Sequence, residues 1–337
     1  MNLDWCSAAS EVGRERLADR PLHGDGKIDA HASVGGPCLQ VCVVLIRNCQ
    51  SDAAIGRLKI ESAPLPPGSL EVNVDPAVGG ASLDVTPHVG DPSWLRQHNV
   101  FVAEGRLVVR RLFEAGSFSV RSVLVTPAAL AAMRDALDPE RCPVHVCEQQ
   151  TMNDLAGFNF HRGCLAIADR PPAIDPLARF ADARCVLALE GIGNPDNVGG
   201  LFRAAAALGG EAVLLDGRCA DPLYRKAIRT SMGAAFRIPF AIVDAWLPTI
   251  HALAGEDTDV VALTPHPSAK RLADVARDRA AERRVILMLG AEGAGLSNEA
   301  IEAATVSARI PIAPGIDSLN VVVAAGIALA AFARAGD

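Results

Sequence analysis

The chain has 337 residues, 50% hydrophobic and 21% charged, a balance that fits a globular protein of two ordinary domains and excludes disorder along its full length. A net charge of -7 excludes a globally basic nucleic-acid binder, so any site for RNA or DNA has to be a local patch. Nine cysteines, an odd total without a C-x-x-C pair, point to reduced thiols in a cytoplasm and away from a disulfide framework or a metal site. No basic segment followed by an apolar core opens the chain, and the apolar runs Val41–Ile46 and Val321–Phe332 are shorter than the roughly 20 residues of a bilayer span. Neither secretion nor membrane insertion is expected.

Residues 1–90 carry scattered glycines and prolines (Pro64, Pro66, Pro67, Gly68, Gly79, Gly80) and no sustained period of 2 or 3.6. They read as a poorly ordered extension, or as the product of a start assigned too far upstream, with one strand-like run at Leu39–Arg47. From Asp91 the texture alternates: a helix through Leu107–Ala115, a strand Ser122–Thr126, a helix Pro127–Leu137, a strand His145–Cys147 and a closing segment Gly163–Ala168. This predicts a small α/β domain over 91–170, followed by a proline-rich linker at 171–180. Beyond it, strand-length apolar runs (Cys185–Leu189, Ala212–Leu215, Val260–Leu263, Val285–Leu289, Ser307–Ile312) alternate with helical segments. That pattern predicts a mainly parallel sheet covered on both faces over 181–337, with its chemistry in the loops at the carboxyl ends of the strands.

Three such loops hold polar groups. The first runs Glu190-Gly-Ile-Gly-Asn-Pro-Asp-Asn197-Val-Gly-Gly-Leu-Phe-Arg203, with Asn197 as a fair N-cap, Gly199 and Gly200 leaving room for a ligand or another backbone, and Arg203 leaning toward the open first turn. Leu289-Gly290-Ala-Glu292-Gly293-Ala-Gly295-Leu-Ser297 is the second; Glu292 is there either a first-turn acid or a group facing the ligand. The third, Ile310-Pro-Ile-Ala-Pro-Gly-Ile-Asp-Ser318-Leu-Asn320-Val, leads into an apolar helix over 319–334 with Ser318 as its N-cap. An isolated asparagine, arginine or serine in such a place is usually a cap or a surface group. Their combination at one sheet edge is what carries weight.

Together these residues resemble the three motifs of the SpoU/TrmH branch of the SPOUT methyltransferases. Asn197, Gly199 and Arg203 match the first; Gly290, Glu292, Gly293, Gly295 and Leu296 match its G-x-E-G-x-G-L pattern; Ile310, Pro311 and Ser318–Val321 match the third. Asp221–Ala234 and Phe101–Arg106 resemble further family segments, and Val322 stands where many relatives carry serine. The resemblance implies an α/β fold whose C-terminal SPOUT-type parallel sheet closes a deep trefoil knot, preceded by a small α/β substrate-binding domain. General chain rules would not propose such a knot.

It further implies a homodimer, with the apolar last helix as a plausible contact, S-adenosyl-L-methionine as cofactor, and methylation of a ribose 2′-hydroxyl in tRNA or rRNA. Arg203, Asn197, Glu292, Ser318 and Asn320 are then the catalytic residues. Cofactor contacts fall on Leu289, Gly290, Glu292, Gly293, Ile310, Ile312, Ser318 and Leu319. A guanidinium keeps its proton across the physiological range, so Arg203 is expected to stabilise the developing alkoxide or orient a phosphate, not to abstract a proton. For RNA contact the sequence offers Arg106, Arg110, Arg111 and Arg121 in the smaller domain and Arg225, Lys226 and Arg229 in the larger, against an ordinary solvated surface for any single one. Aromatic residues make up only 4% of the chain, which argues against base stacking as the main mode. Two rivals remain: an RNA-binding protein without catalysis, and an NAD-dependent dehydrogenase, whose G-x-G-x-x-G lacks its third glycine here although Asp216 lies near the distance of a ribose-binding acid.

Overall fold

The computed structural model describes strands 43–52 and 57–61 and residues 90–332 apart from 139–140, 157–160 and 281. Part of the Leu39–Arg47 run, the glycines and prolines of 62–89 and the last residues of the 319–334 helix lie outside the described residues.

Six strands form the smaller sheet: β1 (Val43–Asp52), β2 (Arg57–Glu61), β3 (Val100–Glu104), β4 (Val120–Val125), β5 (Val144–Cys147) and β6 (Cys164–Asp169), in the order β2-β1-β5-β4-β6-β3. Helices α1 (Pro92–Gln97), α2 (Arg106–Ala115), α3 (Pro127–Met133) and α4 (Gln149–Ala156) connect them. β1 and β2 fall inside the stretch to which the sequence assigned no role; β1 extends the sheet by pairing Val43–Ile46 in parallel with Val144–Cys147. The segment Phe101–Arg106 proves to be the end of a fully buried strand and the first residue of α2.

The larger sheet has seven strands, all parallel: β7 (Cys185–Glu190), β8 (Ala212–Asp216), β9 (Phe240–Val243), β10 (Thr258–Leu263), β11 (Lys270–Arg271), β12 (Arg284–Gly290) and β13 (Val306–Arg309). Their order is β11-β13-β10-β12-β7-β8-β9. Helices α5 (Pro176–Arg179), α6 (Pro195–Ala207), α7 (Arg225–Thr230), α8 (Trp246–Leu253), α9 (Leu272–Asp278), α10 (Asn298–Glu302) and α11 (Val321–Phe332) complete the lobe. Alternation explains the unbroken apolar runs. Leu187, Leu189, Val213 and Leu287 face the layer of α6 and α11, while Val186, Ala188, Leu214 and Ile286 face Trp246 and Ile250 of α8. β13 stops at Arg309, before Pro311, because proline has no N–H to give a ladder; the expected strand to Ile312 is shortened accordingly.

The two sheets share apolar packing. A 3-10 turn at Ala234–Phe236 presents Phe236 to Phe101 and Phe118, with ring centroids 5.7 and 5.4 Å away, and Leu223 and Ile228 join the same cluster. Polar contacts cross there too: Arg111 donates to the Met232 carbonyl, Arg170 pairs with Asp221, and Arg225 lies 3.7 Å from the buried Glu104.

Candidate active site

Because β7 and β12 are neighbours and α11 packs against α6, the three polar loops meet at the carboxyl edge of the larger sheet. α6 starts earlier than expected. Asn194, not Asn197, is its N-cap: the Asn194 side chain accepts the Asp196 N–H at 2.9 Å, and Pro195 with its fixed φ opens the helix. Asn197 is therefore buried in the first turn, its amide free for tertiary contact. Gly199 and Gly200 serve helix packing. A Cβ on Gly199 would stand 2.5 Å from the Ala227 carbonyl oxygen of α7, and one on Gly200 would stand 2.7 Å from Cγ2 of Val322 on α11. Arg203, three and four residues further on, shares that side of α6; it is exposed and has no ion-pair or hydrogen-bond partner among the described residues.

The second loop closes on itself. The position of a Cβ on Gly290 is filled by the backbone of Gly295, 2.1 Å away; Gly295 donates to the Ala291 carbonyl at 2.9 Å, and Gly293 and Gly295 hold φ of +88° and +72°, which side chains disfavour. The following helix begins only at Asn298, capped by Ser297, so Glu292 is not a first-turn acid: it belongs to the loop and is exposed. The third loop brings a further correction, since Asn320, not Ser318, caps α11. Its Oδ1 accepts the Val322 N–H at 2.9 Å and its carbonyl accepts the Ala324 N–H at 3.0 Å, so α11 starts at Val321.

The Asn320 amide joins all three loops. Its Nδ2 donates to Asn197 Oδ1 at 3.2 Å and to Glu292 Oε1 at 3.0 Å. Ser318 stays exposed, without a hydrogen bond among the described residues. Leu289 turns its side chain into the core, Ile310 packs against that core, Ile312 and Leu319 are half-buried, and Gly290 and Gly293 belong to the closed loop. Any ligand at these positions is met largely by backbone.

A second cluster, which the sequence did not single out, lies beside the first. Glu190 ends β7 with its carboxylate buried; Ser297 gives it an N–H at 2.9 Å and a hydroxyl at 2.8 Å, and Arg218 a guanidinium N–H at 3.2 Å. Asp216 ends β8, accepting the Gly191 N–H at 3.0 Å and the Arg218 Nε–H at 2.7 Å. Burial pushes its carboxyl up, but the Gly191 N–H and Arg218 outweigh that and hold it below the usual range. One signal could have found it: an acid closing each of two adjacent, wholly apolar strands has to find donors once the sheet is formed. Since Asp216 is occupied in this way, the dinucleotide reading loses its ribose acid.

Most of the arginines considered for RNA are engaged within the chain. Arg110 forks onto Asp135 at 2.6 and 2.9 Å, Arg121 pairs with Asp169 at 2.6 Å, Arg111 and Arg225 serve the lobe junction, and Lys226 pairs with Asp196 at 2.8 Å. Arg106 and Arg229 form no ion pair among the described residues; Arg106 is exposed and Arg229 half-buried. Nor does any group of three His, Cys, Asp or Glu among them suit a metal ion, or any of their helices the crossing of a membrane.

Residues 184–330 match the model of the SpoU rRNA Methylase family. An uncharacterised tRNA/rRNA methyltransferase of Mycobacterium tuberculosis is 38% identical over 235 residues, covering 70% of this chain and 81% of that protein. The 23S rRNA (guanosine-2′-O-)-methyltransferase RlmB of a Burkholderia species is 33% identical over 182 residues, or 53% of this chain and 72% of the relative. Among solved structures, an AdoMet-bound rRNA methyltransferase from Sinorhizobium meliloti superposes with a TM-score of 0.63 at 22% identity, over 73% of this chain and 92% of that one, which shows the same fold. The chain belongs to the SpoU rRNA methylase family, a family of methyltransferases that act on RNA.

Proposed function

We propose that this protein transfers a methyl group from S-adenosyl-L-methionine to a ribose 2′-hydroxyl of tRNA or rRNA. The observation that carries the reading is the joining of Asn197, Glu292 and Asn320, from three loops, by one amide at the sheet edge; Arg203, on the same helix as Asn197, keeps an exposed guanidinium without a partner among the described residues. The relative named as a guanosine-2′-O-methyltransferase and a fold neighbour described as an RNA 2′-O ribose methyltransferase support the choice of oxygen. Fit to the cofactor rests on the loops themselves. Open space beside Gly293 and Gly295 admits a flat adenosyl group, and Ile310, Ile312 and Leu319 give it apolar walls.

S-adenosyl-L-methionine supplies an electrophilic methyl on a sulfonium. The chain's part is alignment of the hydroxyl in line with the bond that breaks, and stabilisation of the charge that grows on oxygen as its proton leaves. Arg203 takes the second role, while Asn197, Glu292, Ser318 and Asn320 orient the ribose. RNA reaches this edge past Arg106 and Arg229, with the six-stranded lobe as the substrate-binding domain. The exposed Val323 and Ile327 of α11 form the contact of a homodimer, the last part of the chain passes through a trefoil knot, and the protein acts in the cytoplasm.

Alkaline hydrolysis tests the choice of oxygen, because it needs a free 2′-hydroxyl to attack the neighbouring phosphate. RNA labelled from S-[methyl-3H]adenosylmethionine should yield label in alkali-stable dinucleotides; label only in mononucleotides would place the methyl on a base and refute the ribose assignment.

A further inference from the structure

The glycine loop between β12 and α10 is fastened at both ends to one residue. At its start, Gly290 pairs in register with the backbone of Glu190. Where the loop ends, Ser297 gives the Glu190 side chain both its N–H, at 2.9 Å, and its hydroxyl, at 2.8 Å. The same hydroxyl oxygen accepts the Ala300 N–H at 3.2 Å, which alone would suffice to start α10. Glu190 is thus not needed as a cap. Burying a carboxylate is costly unless donors surround it, and here three donors do so at a place only 5% exposed. Asp216 and Arg218 hold it from the other side. The Arg218 guanidinium bridges the two carboxylates at 3.2 and 2.7 Å while Asp216 also grips the Gly191 N–H, so the loops after β7, β8 and β12 become one hydrogen-bonded unit.

We propose that Glu190 is a positioning residue for the methyl donor: acting through Ser297, it keeps the 290–296 loop in the shape that receives S-adenosylmethionine. The inference rests on the reading of that loop as the cofactor site. It concerns ground-state binding, so its effect belongs in the cofactor's Kd and KM more than in kcat.

Calorimetric titration of the full-length protein with S-adenosylhomocysteine, together with steady-state methyl transfer, tests it on Glu190→Gln, Glu190→Ala and Ser297→Ala. Glutamine retains one acceptor but turns its amide N–H2 toward a donor, so Glu190→Gln should raise Kd and the KM for S-adenosylmethionine about tenfold, equivalent to ~1.4 kcal/mol, with kcat lowered less than threefold. Ser297→Ala should weaken binding in the same direction, and adding Glu190→Gln to it should weaken it little further, since both remove one contact. If folded Glu190→Gln binds as wild type does, or loses kcat at unchanged Kd, the proposal is overturned, whatever its melting temperature. Should Glu190→Ala fail to fold, Glu190→Gln and Ser297→Ala decide the matter. Wild-type protein that binds neither compound would instead sink the cofactor reading.

Discussion

Two polar clusters stand side by side on the carboxyl edge of one parallel sheet, and they differ in how much of their hydrogen-bonding capacity the chain itself uses. In the Glu190–Asp216–Arg218–Ser297 group both carboxylates are buried and each has two or more donors. The Asn197–Glu292–Asn320 group is held by a single amide, and Glu292 and Asn320 are exposed, as is the unpartnered Arg203 six residues beyond Asn197 on α6. A satisfied group stabilises the scaffold and has little left for a ligand, whereas an open one contributes little to folding and is available for substrate. The lesson is that proximity to the site does not sort residues into roles; residual valence does.

The sharpest way to break this contrast is at Arg203. Arg203→Ala should lower kcat about 10²–10³-fold, the usual loss when a donor to a developing oxyanion is removed, with folding stability changed by no more than about 0.5 kcal/mol because the side chain is exposed. Single-turnover methyl transfer and urea unfolding check the two halves. Normal turnover would end the assignment of Arg203. Asp216→Asn probes the opposite class. It sets an amide N–H2 against the Arg218 Nε–H, which should cost roughly 1–3 kcal/mol of stability. The sign with pH follows from the lowered carboxyl: its stabilisation is present above about pH 4 and lost as pH falls through the lowered value, so the variant's acid limb should be flatter than that of wild type. A parallel acid limb in urea melts from pH 6 to 3 would contradict the geometry.

The open cluster was legible in the sequence and the closed one was not, for a physical reason. Asn197, Gly199, Arg203, Glu292 and Asn320 occur in loops between apolar runs, where an isolated polar group has no local explanation and attracts notice. Glu190 and Asp216 end their strands as single acids; the partners of Glu190 lie 28 and 107 residues away, and Asp216, though Arg218 is only two residues on, also holds Gly191, 25 residues back on the neighbouring strand's loop, which periodicity does not encode. Helix starts went astray for a related reason. Asn194 and Asn197, like Ser318 and Asn320, are equally good caps by residue type, and it is Pro195 in one case and the tertiary bridge of Asn320 in the other that decides. The parallel sheet was readable from its continuous apolar strands, though not β9, where only Ala241 is fully buried, nor the pairing of β1 with β5. For Gly199 and Gly200 the sequence could require a close approach but could not name the neighbour as α7 and α11.

Asn320 belongs to both classes, since it caps α11 and bridges the open cluster, and two substitutions separate these duties. Asn320→Asp keeps an acceptor for the Val322 N–H but sets a carboxylate against Glu292; Asn320→Ala removes cap and bridge together. Both should lower kcat/KM about 10-fold or more, and only the alanine variant should also lose about 1 kcal/mol of stability. Equal destabilisation by both would mean that the bridge, not the cap, holds α11 in place.

The smallest effect expected extends the same contrast to RNA binding. Arg106 is exposed and without an ion pair among the described residues, whereas Arg110 on the same helix is forked onto Asp135. A guanidinium already paired has to leave its carboxylate before it meets a phosphate; an open one releases counterions from the RNA directly. Arg106→Ala should therefore weaken RNA binding a few-fold and reduce the slope of log Kd against log salt by about 1, while Arg110→Ala leaves that slope nearly unchanged. Binding to a fixed RNA fragment between 50 and 200 mM salt measures both. Equal slopes for the two variants would show that pairing within the chain does not decide which arginines of α2 meet RNA.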